Sequence, residues 1–306
     1  MKITVIGAGA VGGYVGALLK QDGNDVTFIA RGKHLDKMRE KGLTVKHHGG
    51  IFTIHEYFTD EFTHIREADL LIFTVKSTET KEICERIKPY IKKSAFILTL
   101  QNGVINEEIL SESFGRDFVL PGSAYISANV EEFGSITQSG NNPRFFIGNL
   151  TESQKDFIDC VIDTFQKSGI SIKYSGEIMK KKWEKSLWNV TFNPLSALAR
   201  ATVGEILDES KLRSTSEAIL RETVEVAKNN NIEITKEAIE KVFRNAENVR
   251  SHKTSMLQDR ERGKKMEVEA LCGYFVKLGE RSSTDVPVLS AIYSVLSFID
   301  QREQNL

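Results

Sequence analysis

The stretch Gly7-Ala8-Gly9-Ala10-Val11-Gly12 follows the apolar run Ile3–Ile6 and opens a helical pattern. A GxGxxG sequence between a strand and a helix is typical of the loop that binds the pyrophosphate of a dinucleotide. In such a loop Gly7 makes the tight turn, Gly9 lets the backbone approach the pyrophosphate, and Gly12 lets the helix pack on the strand. The helix N-terminus adds amide donors. The alternative is a glycine-rich turn that serves packing alone.

The first half of the chain alternates short apolar runs with helical patterns, which predicts βαβ units and a mostly parallel sheet. Strands are predicted at Ile3–Ile6, Asp25–Ala30, Ile51–Phe58, Asp69–Val75 and Ala95–Leu100. Helices are predicted at Gly12–Lys20 and Glu79–Ile91. Between Gly122 and Gly148 three β-rich pieces, joined by Glu-Phe-Gly and Gly-Asn-Asn-Pro turns, predict an antiparallel extension of the sheet.

The character of the chain changes in its second half. A helix is predicted at Thr151–Ser168 and a short strand at Ile170–Tyr174, and only helical periodicity follows Glu177. We therefore predict an α/β domain over residues 1–170 and an all-α domain over residues 171–306.

Composition narrows the function classes. The 306 residues carry a formal net charge of −1, so no overall positive field favours nucleic acid or a membrane surface as a partner. The three cysteines form no CxxC pair, and no apolar run approaches the roughly 18 residues that would span a bilayer. We expect a cytoplasmic protein. The six histidines show no HxxxH or HExxH spacing and no GxSxG occurs, so neither a metal site nor an acyl-transfer hydrolase is expected.

The end of the second predicted strand bears on the choice of dinucleotide. NAD-binding sites usually place an acidic residue there, about 20 residues past the glycine motif. Here the sequence is Phe28-Ile29-Ala30-Arg31-Gly32-Lys33, which has no carboxylate. The Arg31 guanidinium could clamp a 2′-phosphate in a bidentate manner, which favours NADP(H). The alternative is an ordinary exposed arginine.

Three polar residues of the second half share one predicted helix face. Lys185, Asn189 and Asn193 are spaced by four residues, which keeps them within roughly 80° of arc. Pro194 predicts a kink or break that leaves Asn193 at a helix end. From spacing alone, a solvated face with a single lysine is the commoner arrangement.

Three further polar residues are candidates in their local context. Asn102 follows an apolar strand, at the sheet edge where open α/β folds bind ligands, although an asparagine before glycine also suits a plain turn. Ser255 opens a helical run, and Glu267 follows a helix break predicted at Gly263. Taken in isolation, Glu267 is better explained as a surface residue.

Together these segments resemble the ketopantoate reductase (2-dehydropantoate 2-reductase) family, which reduces a branched 2-oxo acid with NADPH on the route to pantothenate and coenzyme A. The resemblance spans nearly the whole chain in the family's order. The matching segments are Gly7–Gly12, Ala30–Gly32, Lys76, Gln101–Val104, Lys185 with Asn189 and Asn193–Ala197, and Thr254–Asp259 with Glu267. Each segment alone is weak evidence for the family, but their occurrence together in this order is specific.

The resemblance implies roles for individual positions. Lys185 matches the family's catalytic lysine and Glu267 its partner carboxylate. Arg31 and Lys76 match the cations on the cofactor side. Polar residues that contact or orient the substrate are matched by Asn102, Asn189, Asn193 and Ser255, and Asn102 also lies on the cofactor side. The family fold is a Rossmann-type N-terminal domain followed by a helical domain, with the active site in the cleft between them.

One departure affects the choice of substrate. Where many relatives have Asn-Gly-Glu, this chain has Val203-Gly204-Glu205, and Val203 cannot hydrogen-bond a substrate. The alternatives are a reductase of another branched 2-oxo acid and a non-catalytic NADP(H)-binding sensor. A small-molecule 2-oxo acid is the expected partner, and the assembly state stays open, with a homodimer among the alternatives.

Overall fold

The computed structural model describes residues 1–305, which form two compact units. The first comprises Met1–Gln101 and Asn106–Ile178. The second comprises Asn102–Ile105 and the chain from Met179 onward. Within residues 1–305, no helix combines the length and the apolar character needed to cross a membrane.

The first unit is built on one sheet of ten strands. The strands are β1 (Lys2–Ile6), β2 (Asp25–Ile29), β3 (Leu43–His47), β4 (Gly50–Ile54), β5 (Phe58–Thr59), β6 (Leu70–Phe73), β7 (Phe96–Thr99), β8 (Val119–Glu132), β9 (Ser135–Ile147) and β10 (Ile172–Tyr174). Their order is β4-β3-β9-β8-β7-β6-β1-β2-β5, and β10 pairs with β9. In the part of the sheet with the order β8-β7-β6-β1-β2-β5, all neighbouring strands are parallel. Strands β8 and β9 form a long antiparallel pair.

The helices of this unit are α1 (Ala10–Gln21), α2 (Gly32–Lys41), α3 (Thr80–Ile87), α4 (Asn106–Phe114) and α5 (Lys155–Lys167). The central strands are rich in apolar residues because they are buried on both faces. Leu70–Phe73 is entirely apolar, and Ile3–Ile6 is apolar except for the buried Thr4. Two glycines of α1 pack against neighbouring side chains, Gly13 near Ile136 and Gly16 near Phe28. The predicted α/β first half is confirmed.

The second unit is helical, as predicted. Its elements are α6 (Ile178–Ala199), α7 (Val203–Asp208), α8 (Ser210–Asn229), α9 (Lys236–Glu247), α10 (Ser255–Glu261), α11 (Tyr274–Arg281) and α12 (Pro287–Gln304). A π-helical turn, Glu269–Gly273, leads directly into α11. The division between the units falls after Ile178 rather than at residue 170, because β10 pairs with β9 and so folds with the sheet.

Several sequence predictions were wrong in detail. The single strand predicted at Ile51–Phe58 is two strands, which lie at opposite edges of the sheet: β4 pairs with β3, and β5 pairs with β2. The apolar pattern could not reveal this, because periodicity carries no information about pairing partners. The strand β3 and the helix α2 were not predicted.

The segment 122–148 has two long strands instead of three pieces. The predicted Gly-Asn-Asn-Pro turn lies inside β9 as an irregularity. Gly140 has φ of +72°, and the pairing of β9 with β8 shifts register between Tyr125 and Ser127. The break predicted at Pro194 is also wrong, since α6 continues to Ala199 and Asn193 lies within it. Buried neighbours such as Phe192 and Leu195 offset the cost of about 3 kcal/mol that an interior proline imposes.

Candidate active site

The predicted pyrophosphate loop joins β1 to α1. Gly7 has φ of +92°, and a Cβ there would lie 2.7 Å from the backbone nitrogen of Val75. Both facts require glycine at this position. The loop is held from outside by Thr74, whose Oγ1 donates to the Gly7 carbonyl at 2.9 Å.

The space beside Gly9 indicates which kind of group the loop can bind. Gly9 is the N-cap residue of α1, and as a glycine it has no side chain that could cap the helix. A Cβ at Gly9 would meet nothing closer than 4.0 Å, so open space adjoins the first-turn amides of α1. An anionic group fits that space, because the amide donors and the positive end of the helix dipole point into it. The loop therefore fits the pyrophosphate of a dinucleotide.

Sequence reasoning missed a histidine that supports the same loop. His34 lies 3.0 Å from the Ala8 carbonyl through Nε2, and its Nδ1 accepts from the backbone nitrogen of Gly134 at 3.0 Å. Accepting at Nδ1 places the proton on Nε2, which then donates to Ala8. No motif contained His34, because the contact depends on the turn between β8 and β9.

The two predicted cofactor-side cations lie beyond neighbouring parallel strands. Arg31 follows β2 as the N-cap residue of α2, and Lys76 follows β6. Both strands pair with β1, so their carboxyl ends meet at the glycine loop. The Arg31 side chain is 69% exposed and forms an ion pair with Glu79. A carboxylate therefore adjoins the arginine that was predicted to bind phosphate.

A buried polar network underlies the loop that carries Lys76. Gln101 Nε2 donates to the Val75 carbonyl and to Thr80 Oγ1, both at 2.8 Å, and Thr80 Oγ1 donates to Asn106 Oδ1 at 2.8 Å. Buried side-chain networks of this kind fix loop conformation. The motif Gln101–Val104 was noted in the sequence, but nothing in the pattern indicated that Gln101 is structural while its neighbour Asn102 belongs to the other unit.

Lys185 lies on α6 and contacts Asn102 within the second unit. Its Nζ donates to Asn102 Oδ1 at 2.9 Å, although the two residues are far apart in the sequence. The contact orients the ammonium through a neutral acceptor, so Asn102 holds Lys185 without adding charge.

The pKa of Lys185 is strongly lowered. Some of its surface is accessible to solvent, yet protein atoms surround it densely, and burial is the main cause that brings its pKa to about 7. The positive charge of Lys182, which is buried one helical turn away, lowers the pKa further. The negative charge of Glu267 acts in the opposite direction and raises it. A lysine that exchanges a proton near neutral pH suits acid–base chemistry.

The two asparagines predicted on the face of Lys185 are both buried on α6, with Asn189 8% and Asn193 3% exposed. Asn193 Nδ2 lies 3.5 Å from the Oγ of Ser255, the exposed first residue of α10. Asn189 Nδ2 is buried and has no hydrogen-bond partner within residues 1–305. A buried donor without a partner is costly, and a ligand oxygen would relieve that cost.

Val203 lies in the apolar core of the second unit. It is fully buried among residues such as Leu207 and Met256, and it is the first residue of α7 after the N-cap Thr202. Its backbone nitrogen donates to the His252 carbonyl at 3.1 Å. Among the described residues, no group of three His, Cys, Asp or Glu side chains could hold a metal ion.

Comparison with known proteins identifies the family of the chain. The model of the ketopantoate reductase PanE/ApbA family matches residues 3–152, and the model of its C-terminal part matches residues 177–300. The chain belongs to the ketopantoate reductase family. The resemblance drawn from the sequence is thereby confirmed, and membership makes the chain an oxidoreductase that uses a nicotinamide cofactor.

Individual relatives of the ketopantoate reductase family match over almost their full length. The chain is 30% identical to a 2-dehydropantoate 2-reductase of Pyrococcus horikoshii, covering 97% of this chain and 96% of that protein. A PanE/ApbA family ketopantoate reductase from Ralstonia eutropha has a TM-score of 0.93 at 26% identity, covering 99% and 100% of the two chains. A D-mandelate dehydrogenase solved with NADH and anilino(oxo)acetate shares the fold, with a TM-score of 0.90, 22% identity and full coverage of both chains.

Proposed function

We propose that this chain reduces a 2-oxo acid, 2-dehydropantoate, to the corresponding 2-hydroxy acid with NADPH. The observation that carries the proposal is Lys185, whose ammonium is hydrogen-bonded to Asn102 and whose pKa is near neutrality. The Pyrococcus relative bears the name of this activity. The test is oxidation of NADPH by a panel of 2-oxo acids, followed by the loss of its near-ultraviolet absorbance. No turnover with any of them would favour a cofactor-binding sensor instead.

The residues of the second unit supply the acid–base part of the reaction. When bound, the reduced nicotinamide supplies a hydride to the keto carbon. Lys185 stabilises the negative charge that develops on the ketone oxygen and donates its Nζ proton to that oxygen. The product is the 2-hydroxy acid, and Lys185 regains its proton from solvent. Glu267 favours the protonated form of Lys185, which is the form that reduction needs.

The neutral amides orient the acid group of the substrate. Asn189 Nδ2 is a buried donor in need of an acceptor, and Asn193 and Ser255 provide a second amide and a hydroxyl. These groups bind carboxylate and hydroxyl oxygens without adding a second full positive charge beside Lys185. We assign them to substrate binding. The loop 7–12, with Arg31, Lys76 and Asn102, is assigned to the cofactor.

We expect NADPH to be preferred over NADH by at least about tenfold in kcat/KM, which corresponds to about 1.4 kcal/mol. The reason is a charge-assisted contact of Arg31 with the 2′-phosphate, supported by Lys76. Arg31→Ala should reduce the preference for NADPH over NADH. Steady-state kinetics with both cofactors measure the ratio of their kcat/KM values, and equal use of both by the wild type would contradict the prediction.

The ion pair with Glu79 provides a sharper test of the same contact. A carboxylate beside Arg31 competes with the 2′-phosphate and repels it. Glu79→Gln should therefore widen the preference for NADPH, in the direction opposite to Arg31→Ala. The exposed pair Lys228 and Glu225 on α8 offers a control, since Glu225→Gln should leave the preference unchanged.

We expect 2-dehydropantoate to exceed its analogue without the terminal hydroxyl by at least about tenfold in kcat/KM, because a buried polar group left unpaired is costly. Asn193 and Asn189 are the candidates for that contact, and buried Val203 supplies none. Asn193→Ala should reduce the difference between the two substrates. A wild type that uses the deoxy analogue equally well would point to a more apolar 2-oxo acid.

A further inference from the structure

Helix α12 makes hydrogen bonds on both sides of Glu267. Asp300 Oδ1 accepts from the backbone nitrogen of Met266 at 2.8 Å, immediately before Glu267. Tyr293 donates its hydroxyl hydrogen to Glu269 Oε2 at 2.7 Å, two residues after it. Tyr293 and Asp300 are seven residues apart, so they lie on the same face of α12, two turns apart.

The segment held in this way is unusual in its backbone. Glu267 lies just before the π-helical turn Glu269–Gly273, a geometry that is rare and is frequent at functional sites. The other oxygen of Glu269 pairs with Lys277. Glu269 thus accepts from two residues at once, which fixes its position in the turn.

Close packing of the turn on Tyr293 requires glycine at position 273. A Cβ there would lie 2.6 Å from Tyr293 Cε2 and 2.7 Å from Glu269 Oε2. The ring of Tyr293 therefore rests directly on the backbone of the turn. The hydrogen bond between Asp300 and the Met266 backbone is also protected. Asp300 is 8% exposed and Met266 is 1% exposed, so water has little access to it.

We propose that Tyr293 and Asp300 are positioning residues for the reduction, which hold the segment 266–269 so that Glu267 faces Lys185. Neither side chain is assigned a contact with substrate or cofactor. This proposal rests on the proposed function, because it needs Glu267 to act on Lys185. Its consequence is that α12, through two hydrogen bonds, affects the proton affinity of the catalytic lysine by way of Glu267.

The pH profile reports this effect and separates it from a loss of stability. The charged groups that act on Lys185 are Lys182, which lowers its pKa, and Glu267, which raises it. Reduction needs the protonated lysine, so kcat/KM for the 2-oxo acid falls as pH rises through that pKa. If Glu267 moves away, the pKa drops, and the fall in activity moves to lower pH.

The experiment compares Tyr293→Phe and Asp300→Ala with Glu267→Gln. Tyr293→Phe removes one hydroxyl, and we expect kcat to fall about fivefold, as the loss of one hydrogen bond implies, with the midpoint of the pH profile displaced to lower pH. Asp300→Ala should act in the same direction. Asp300→Asn keeps an acceptor oxygen for Met266 and should restore most of the activity. Ser294→Ala is the control, because this exposed hydroxyl on α12 donates to the Ser290 carbonyl of its own helix.

A double variant links the effect to Glu267. In the Glu267→Gln background, Tyr293→Phe should displace the midpoint no further. If Glu267→Gln displaces the midpoint and Tyr293→Phe lowers only the melting temperature, the positioning role is overturned while the proposed function stands. If Glu267→Gln changes neither kcat nor the profile, the role of Glu267 in the proposed function fails, and the positioning role fails with it.

Discussion

Replacing Lys185 by alanine is expected to lower kcat by roughly 10²–10⁴, the range associated with a lost general acid. The ammonium group of Lys185 donates a hydrogen bond to Asn102 in the second unit, and its pKa is near neutrality. Without it, the alkoxide that forms on the substrate has neither a proton donor nor a positive charge to stabilise it. The affinity for NADPH should change little, because the glycine loop and its cations belong to the first unit.

Single-turnover and steady-state kinetics, together with NADPH binding measured by fluorescence, check this expectation. Lys228→Ala is the matched control, because Lys228 is an exposed lysine of the same unit that pairs with its helix neighbour Glu225. It should retain full activity. Near-normal turnover of a folded Lys185→Ala variant would show that the proton comes from elsewhere, and the mechanism would be wrong.

The second large effect is expected at the glycine loop. Gly9→Val should weaken NADPH binding by roughly 10- to 100-fold, in line with the 1–3 kcal/mol typical of overpacking. The added side chain would occupy the open space beside the N-terminus of α1, which the pyrophosphate needs. Because a Cβ at Gly9 meets no atom of residues 1–305 closer than 4.0 Å, we expect this variant to fold and to lose less stability than a substitution at Gly7.

Gly7→Ala gives the informative contrast. Its Cβ would lie 2.7 Å from the backbone nitrogen of Val75, and its φ of +92° strains any side chain, so this variant should lose stability. Titration of NADPH and thermal unfolding of both variants measure the two effects. If Gly9→Val bound NADPH as tightly as the wild type, the cofactor would not approach the loop at this glycine.

The sequence determined the features that depend on local pattern. The position of the glycine loop between β1 and α1, the parallel strands around it and the change to a helical second half all follow from hydrophobic periodicity and turn residues. The face shared by Lys185, Asn189 and Asn193 follows from helix geometry, and α6 carries it without a break. These predictions succeed because neighbours in sequence decide them.

Only the tertiary structure determined which strands pair and which residues are buried. No pattern could divide Ile51–Phe58 between two edges of one sheet, or keep α6 continuous through Pro194, because long-range packing outweighs local preference in both cases. The same holds for the site. The Arg31–Glu79 pair depends on which segments the fold brings together.

The state of the catalytic lysine belongs to this second group. From its spacing alone, Lys185 is better explained as a single lysine on a solvated helix face. Its pKa is lowered by the protein atoms around it and by the charge of Lys182, and it is raised by the charge of Glu267. Its hydrogen bond needs Asn102. Sequence thus determined which residue types are present and on which helix face, whereas tertiary structure decided their solvation and charge environment, because desolvation and Coulomb interactions depend on distances that local sequence does not encode.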